Sequence, residues 1–233
     1  MPCRNAGLDL AEPFQVGWYN RAVAAEYRVP DFGDPGRLAV LLGNTRALWP
    51  RLVATLRARP SVAKDPNPIE RYVTETVHSA LERLSQRWEV RFAHEPPPRR
   101  IAVQRAAHVS GLAYLSPAHL SIHPEHGPWI SLRAVAVIDV AGPSGPPREA
   151  VRTCADCARS CEAALARALA LGTPEMKTVE ENWQAWLAVR DSCPIGRASR
   201  FQEDHIRYGY TKDREILRRC TMITSDETRE SDS

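Results

Sequence analysis

Four of the six cysteines in this 233-residue chain, Cys154, Cys157, Cys161 and Cys193, are spaced so that their thiolates could meet at one point. The first three stand where a helix is predicted to begin, and the loop before a helix converges with its first turn. Cys193, followed by Pro194, arrives from the end of the next element. Four thiolates around one point suit an iron–sulfur cluster or structural zinc. Structural zinc sites more often pair two short Cys-x2-Cys hooks, whereas three clustered cysteines with a remote Cys-Pro are closer to a ferredoxin-type 4Fe–4S site. The spacing departs from the ferredoxin pattern, with three residues rather than two between Cys157 and Cys161. The expectation is one 4Fe–4S cluster, with zinc as the alternative and Cys3 and Cys220 outside the set. Buried, inert thiols are the plainer explanation.

A second group lies in residues 106–137, the least polar part of the chain, which nevertheless holds His108, His119, His123 and His126. Leu120 and Ile122, then a Pro-Glu-His-Gly-Pro turn, then Ile130, Leu132 and Ala134 read as a β-hairpin. That hairpin puts His123 at the lip of the turn and Trp129 at the start of its second strand. An imidazole there could ligate a metal or face a large planar ligand. The plainer alternative has His108 and His119 satisfying backbone groups and His126 in solvent.

The elements that must hold these residues follow from periodicity. The apolar run 38–43 reads as a buried strand. A helix follows to about Arg57, with Leu48, Leu52, Val53 and Leu56 on one face. Residues 68–87 form the clearest helical pattern, opened by Pro68, and Trp88, Val90 and Phe92 then alternate as a strand. Residues 94–100 (HEPPPRR) read as an extended connector. A helix over 100–115 carries Ala107, Gly111 and Ala113, small residues that allow a close approach. The stretch GPSGPP at 142–147 marks a boundary, with helices predicted beyond it over 178–190 and 199–219. The predicted organisation is a domain over 1–142, a helical module over 148–222 and a disordered tail over 223–233.

Composition narrows the function. Hydrophobic content of 43% and charged content of 25% suit an ordinary soluble domain. A net charge of +3 is too small, and too scattered, to indicate nucleic-acid binding. The longest apolar run is broken by Arg133 and Asp139, so no membrane span is expected. The first residues lack the apolar core of a signal peptide, and a reducing, cytoplasmic location is the default.

Three stretches carry a resemblance: PFQVGWYN at 13–20, AAHVSGLAY at 106–114 and SIHPEHGPWISLRAVAVI at 121–138. Their order and spacing resemble the cobalamin-trafficking family affected in methylmalonic aciduria with homocystinuria type C. The resemblance implies an α+β fold, a flavin-reductase/nitroreductase-like cobalamin-binding domain followed by a small helical cysteine-rich module. It implies cobalamin bound base-off, with Gln15, Trp18, Tyr19, His108, Gly111, His123, Gly127 and Trp129 around it. The implied reaction is reductive removal of an upper axial cyanide or alkyl group, with the corrinoid and an unidentified electron donor as partners. In that family arginines hold glutathione, and Arg190 is the matching position. The cysteine set beside such a domain is similar to epoxyqueuosine reductase, whose clusters deliver electrons to cobalt. Two alternatives follow: a cobalamin-dependent enzyme acting on an organic substrate, or a carrier with structural zinc.

Overall fold

Strands form where β-branched residues and leucines alternate or run together, and helices where apolar residues recur every three or four positions. The computed structural model describes residues 2–154, 157 and 159–222. In chain order it begins with α1 (Pro2–Asn5), β1 (Leu10–Gln15), α2 (Val16–Ala22), β2 (Arg37–Asn44), α3 (Leu48–Ala58), α4 (Pro60–Ala63), α5 (Pro68–Leu81) and β3 (Trp88–Phe92). Then come α6 (Val103–Val109), β4 (Tyr114–Leu115), β5 (Ser121–Ile122) and β6 (Ser131–Ala141). Among the described residues the rest is helical: α7 (Ser160–Leu169), α8 (Met176–Glu181), α9 (Trp183–Asp191), α10 (Glu203–Thr211) and α11 (Arg214–Thr221). The predicted tail, 223–233, lies outside the described residues.

Strands β1, β2, β6 and β3 pair in that order, each antiparallel to its neighbour. Side chains alternate across a strand, so β6 sends Ala134 and Ala136 to one face and Val135 and Val137 to the other. The first face packs on α3 and α5 through Leu52, Leu56, Val73 and Val77. The second packs on α2 and α6 through Tyr19, Ala106 and Ala107. The result is a mixed α/β fold in three layers, with the sheet in the middle. At the β2–β6 bulge a Cβ on Gly43 would sit 2.7 Å from the Ser131 carbonyl oxygen, so only glycine fits without a shift.

Residues beyond the GPSGPP boundary return to this core. Tyr208 of α10 and Ile216 and Leu217 of α11 are buried together with Leu48, Trp49 and Ile69. A smaller cluster joins Trp129 to Leu187, Phe201 and Ile206.

Several expected elements differ. No long hairpin forms around the 124–128 turn. β5 pairs with β4, β6 pairs with β2 and β3, and only a single His123–Gly127 bridge closes the turn. The alternation was correctly placed, but alternation does not name a strand's partner. The helix expected over 100–115 is the shorter α6, because Gly111 adopts φ +83° just beyond it. The helix expected over 199–219 splits into α10 and α11 at Lys212, whose φ is +53°. Asp213 then caps α11 by accepting the Glu215 N–H at 2.9 Å. The 178–190 helix is likewise two, α8 and α9. Among the described residues no helix is long and apolar enough to cross a membrane.

Leu52 is fully buried between α3 and the sheet. Leu52→Ala should cost about 2–5 kcal/mol, read as a lower urea midpoint with an unchanged m value.

Candidate functional site

Helix α2 starts directly after β1, which places Trp18 and Arg21 beside His108 and Val109 of α6 and Tyr114 of β4. These residues line a cavity of about 420 Å³, closed on its far side by residues 147–152. The His108 Nδ1 accepts the Leu115 N–H at 3.3 Å, and its ring meets Tyr114 edge-on. Above Gly111 the chain passes so closely that an added Cβ would lie 2.7 Å from the Arg148 Cβ. The covering segment is tied down lightly. Arg148 reaches the Glu12 carboxylate at 3.0 Å, and Gln15 Nε2 donates to the Pro143 carbonyl at 3.0 Å. The Arg148 side chain is mostly in solvent, so that ion pair contributes little. Burial pushes the Glu12 carboxyl above its ordinary range, against the opposing pull of Arg148.

Thus Trp18 and His108 meet at one cavity, Gly111 packs against Arg148 of its lining, and Gln15 is tied to Pro143 before it. Tyr19 stands apart from it. Its ring is fully buried, and its hydroxyl donates to the Tyr27 carbonyl at 2.8 Å and accepts the Ala102 N–H at 2.9 Å. A shallower cavity of about 220 Å³, lined by Val103, Leu120, Pro128, Ile130 and Leu132, lies between α6 and the 123–128 turn.

The turn has a specific internal wiring. His123 Nδ1 accepts the backbone N–H groups of Glu125 at 3.1 Å and of His126 at 3.2 Å. A neutral imidazole whose Nδ1 accepts must carry its proton on Nε2. His123 therefore offers an N–H outward rather than a lone pair. Burial lowers its pKa below the ordinary histidine value, with the adjacent His126 adding to the effect, which favours the neutral ring. His126, expected in solvent, instead stacks on His123 at 4.7 Å and pairs its Nδ1 with Ser199 Oγ at 2.9 Å. Gly127, at φ +56°, touches the Ile195 carbonyl, where any Cβ would collide. Trp129 is 1% exposed and turns away from the α2–α6 cavity. The guanidinium groups of Arg190 and Arg200 lie 4.5 and 5.3 Å from its ring centroid.

A third cavity surrounds Arg190, the position that the resemblance offered for a glutathione-holding arginine. Glu70, Arg133, Arg190, His205, Tyr210 and Lys212 line a cavity of about 280 Å³ between β6, α9 and α10. Arg133 Nε donates to Asn44 Oδ1 at 2.7 Å, and its surroundings lower its pKa to about 10. Desolvation lowers Arg190 as well. His205 is sandwiched between Phe201 and Trp49, and its buried Nδ1 has no hydrogen-bond partner among the described residues. Burial, then the nearby Arg133, Arg190 and Lys212 charges, drive its pKa down to about 3. Three cations, Arg133, Arg190 and Lys212, and one carboxylate, Glu70, thus line it, with Lys212 Nζ 3.9 Å from the Glu70 carboxylate. Two signals were available: Arg190, through the resemblance, and Arg133, a charge set inside an apolar strand.

The six cysteines are all free. Helix α7 packs along α9, and Ser160 Oγ donates to the Ser192 carbonyl at 2.8 Å, which brings the Cys161 and Cys193 neighbourhoods together. Burial raises the Cys193 thiol pKa, with smaller contributions from the nearby Cys154, Cys161 and Cys157 thiols. Even so, among the described residues no group of three or more His, Cys, Asp or Glu side chains draws together closely enough to hold a metal ion.

The profile of the methylmalonic aciduria and homocystinuria type C family (MMACHC) matches residues 7–163. The chain belongs to that family. Among its relatives, the mouse (Mus musculus) cyanocobalamin reductase / alkylcobalamin dealkylase is 30% identical over 156 residues, 59% of this chain and 55% of the mouse protein. The match thus spans about half the length of that relative. The zebrafish (Danio rerio) protein of the same name is 26% identical over 93% of this chain and 89% of its own. In structure, the chain is similar to the Caenorhabditis elegans B12-trafficking protein CblC, with a TM-score of 0.69 and 18% identity over 92% of this chain and 91% of that one. It also shares a fold with epoxyqueuosine reductase from Bacillus subtilis, with a TM-score of 0.53 and 13% identity over 92% of this chain and 68% of that one.

His205 gives an acid-stability test for this MMACHC-family chain. Its folded pKa lies below the unfolded value near 6.5, so the unfolded state binds more protons and stability falls as pH drops through that window. Between about pH 6.5 and about pH 4 the loss from this group should approach roughly 3 kcal/mol. His205→Phe, which keeps the stack, should remove most of that loss in urea melts run at the two pH values.

Proposed function

We propose that this chain binds a corrinoid with its lower base displaced and reductively removes the upper axial ligand, cyanide or an alkyl group. The carrying observation is that Trp18 and His108, which lie in two separate family-like segments, line one cavity. The relatives' names, cyanocobalamin reductase / alkylcobalamin dealkylase, and the antiparallel sheet covered on both faces support a flavin-reductase/nitroreductase-like reading.

The corrinoid cobalt, once bound, supplies the redox chemistry. The protein binds, orients and controls ligation. A corrin ring is broader than the α2–α6 cavity, so residues 147–152 have to lift, releasing the exposed Arg148–Glu12 pair. Trp18 and the α6 surface then supply apolar contact, and Gly111 lets the ring approach the backbone. His123 contributes an Nε2–H beside the ring, and its Nδ1 is already occupied by the turn. The turn leaves His123 no Nδ1 lone pair to offer the lower face, and a metal without that donor would be easier to reduce. For cyanide, one electron entering at cobalt would let the ligand leave with its bonding pair; an alkyl group would instead pass to a thiolate sulfur, the bonding pair staying on cobalt.

Two electron routes have support. The first is a 4Fe–4S cluster on Cys154, Cys157, Cys161 and Cys193. A cluster spaces its thiolates more widely than the roughly 4 Å separation that tetrahedral zinc imposes, and the loop after Cys193 touches the His123–Gly127 turn. Metal entry would have to draw the four thiols together. The second is an anionic thiol such as glutathione, favoured by the Arg133, Arg190 and Lys212 charges around the unpartnered His205 nitrogen.

Titration of cyanocobalamin with the protein should shift the visible spectrum from base-on to base-off. Trp18→Ala should weaken binding at least about tenfold, because an indole supplies roughly 150–250 Å² of contact. An unchanged spectrum at saturating protein contradicts the reading. Cyanide release driven by glutathione in metal-free protein selects the thiol route, and release that requires iron and a one-electron donor selects the cluster.

A further inference from the structure

The cavity between β6, α9 and α10 presents charge that its own surroundings leave unpaired. Arg133 gives its Nε to Asn44 Oδ1, and Arg190 gives an Nη2 to the Pro128 carbonyl, each at 2.7 Å. Both acceptors are neutral oxygens. Loss of hydration is the largest influence on either guanidinium, and it lowers the pKa of both. A cation withdrawn from water without a counter-charge is costly, and one bound carboxylate would relieve both at once.

The lining also holds a carboxylate, Glu70 of α5, which does not relieve them. Its ion pair is with Lys212, whose Nζ stands 3.9 Å away, too far for a hydrogen bond. Both side chains are partly exposed, and such a pair is weak. His205 on the same wall is neutral and adds no cation. A pocket for a plain anion gains nothing from a carboxylate, because like charge repels the ligand. Two guanidiniums and a carboxylate around a cavity of about 280 Å³ match a small ligand that carries both signs.

We propose that this cavity binds an α-amino-acid head group, its carboxylate shared between Arg133 and Arg190 and its ammonium donated to Glu70. Glu70 is then the residue that selects a zwitterion over a plain anion. The inference deepens the thiol route proposed above and rests on it: the ligand class is a thiol whose far end carries an amino-acid head, and not any anionic thiol.

The test uses the full chain without corrinoid and a redox-silent probe, S-methylglutathione. Its deaminated analogue, in which hydrogen replaces the ammonium group, is the comparison, and both are titrated calorimetrically. Charge alone favours the analogue, which brings one more net negative charge to a cavity lined by three cations. The head-group reading requires the reverse. The ammonium-bearing probe should bind about tenfold tighter, the effect of one charge-assisted hydrogen bond. Glu70→Gln should weaken that probe by a similar factor and tighten the analogue, which inverts the order. A Glu70 that merely restrained Lys212 would, on removal, let both bind tighter. Glu70→Asp, which keeps the charge, should retain part of the preference, and thermal melts of both variants establish that they fold. If the analogue binds the parent protein as well as the ammonium-bearing probe does, or if Glu70→Gln moves both probes alike, the head-group inference is overturned and the anionic-thiol route stands. If neither probe binds the parent protein, the thiol route itself fails and this inference falls with it.

Discussion

Arg190 ties the last third of the chain to the first two. Its guanidinium donates to the Pro128 carbonyl, lies over Trp129 and Phe201, and still faces the cavity beside Arg133 and His205. A guanidinium withdrawn from water loses hydration, and here it recovers a carbonyl and two aromatic faces. The turn at 123–128 cannot move far without breaking those contacts, and α9 cannot leave without exposing Trp129. The 123–128 turn, the cavity around Arg133 and His205, and the loop after Cys193 are therefore one mechanical unit. β6 supplies its floor, as the strand between β2 and β3 from which Arg133 projects.

The chemistry of the site depends on where donors have already been used. His123 spends its Nδ1 on two backbone N–H groups, a device that closes the turn and leaves a donor outward. Had that nitrogen been free, the same imidazole could have met cobalt as a ligand. His205 is the opposite case, a neutral ring with an unused nitrogen among cations. The first arrangement leaves a metal under-coordinated. The second suits an anion that carries its own hydrogen-bonding group.

Much of this was legible in the sequence. The strands at 38–43 and 88–92, the helix from Pro68 and the pairing of Trp18 with His108 follow from periodicity and from the family-like segments. What was not legible depends on partners distant in sequence. Nothing in 120–134 says that β6 pairs with β2 and β3 rather than with β5. Trp129 was expected to face the corrinoid, but its place is set by Arg190 and Arg200, more than sixty residues away. The cavity beside α9 combines Glu70, Arg133, Arg190 and His205 from four separate elements, and only Arg190, through the resemblance, and Arg133, a charge in an apolar strand, hinted at it. The cysteines were visible as a set, but spacing alone does not give the separation of their thiols.

The central claim is that the protein holds a corrinoid whose cobalt receives no nitrogen from below. Electron paramagnetic resonance of the complex with the cobalt(II) form tests this directly, because an axial nitrogen splits each cobalt line into a triplet. The account predicts cobalt hyperfine lines without that splitting. A persistent triplet would contradict it, and a triplet that becomes a doublet in protein labelled with heavy nitrogen would identify a histidine of this chain as the ligand.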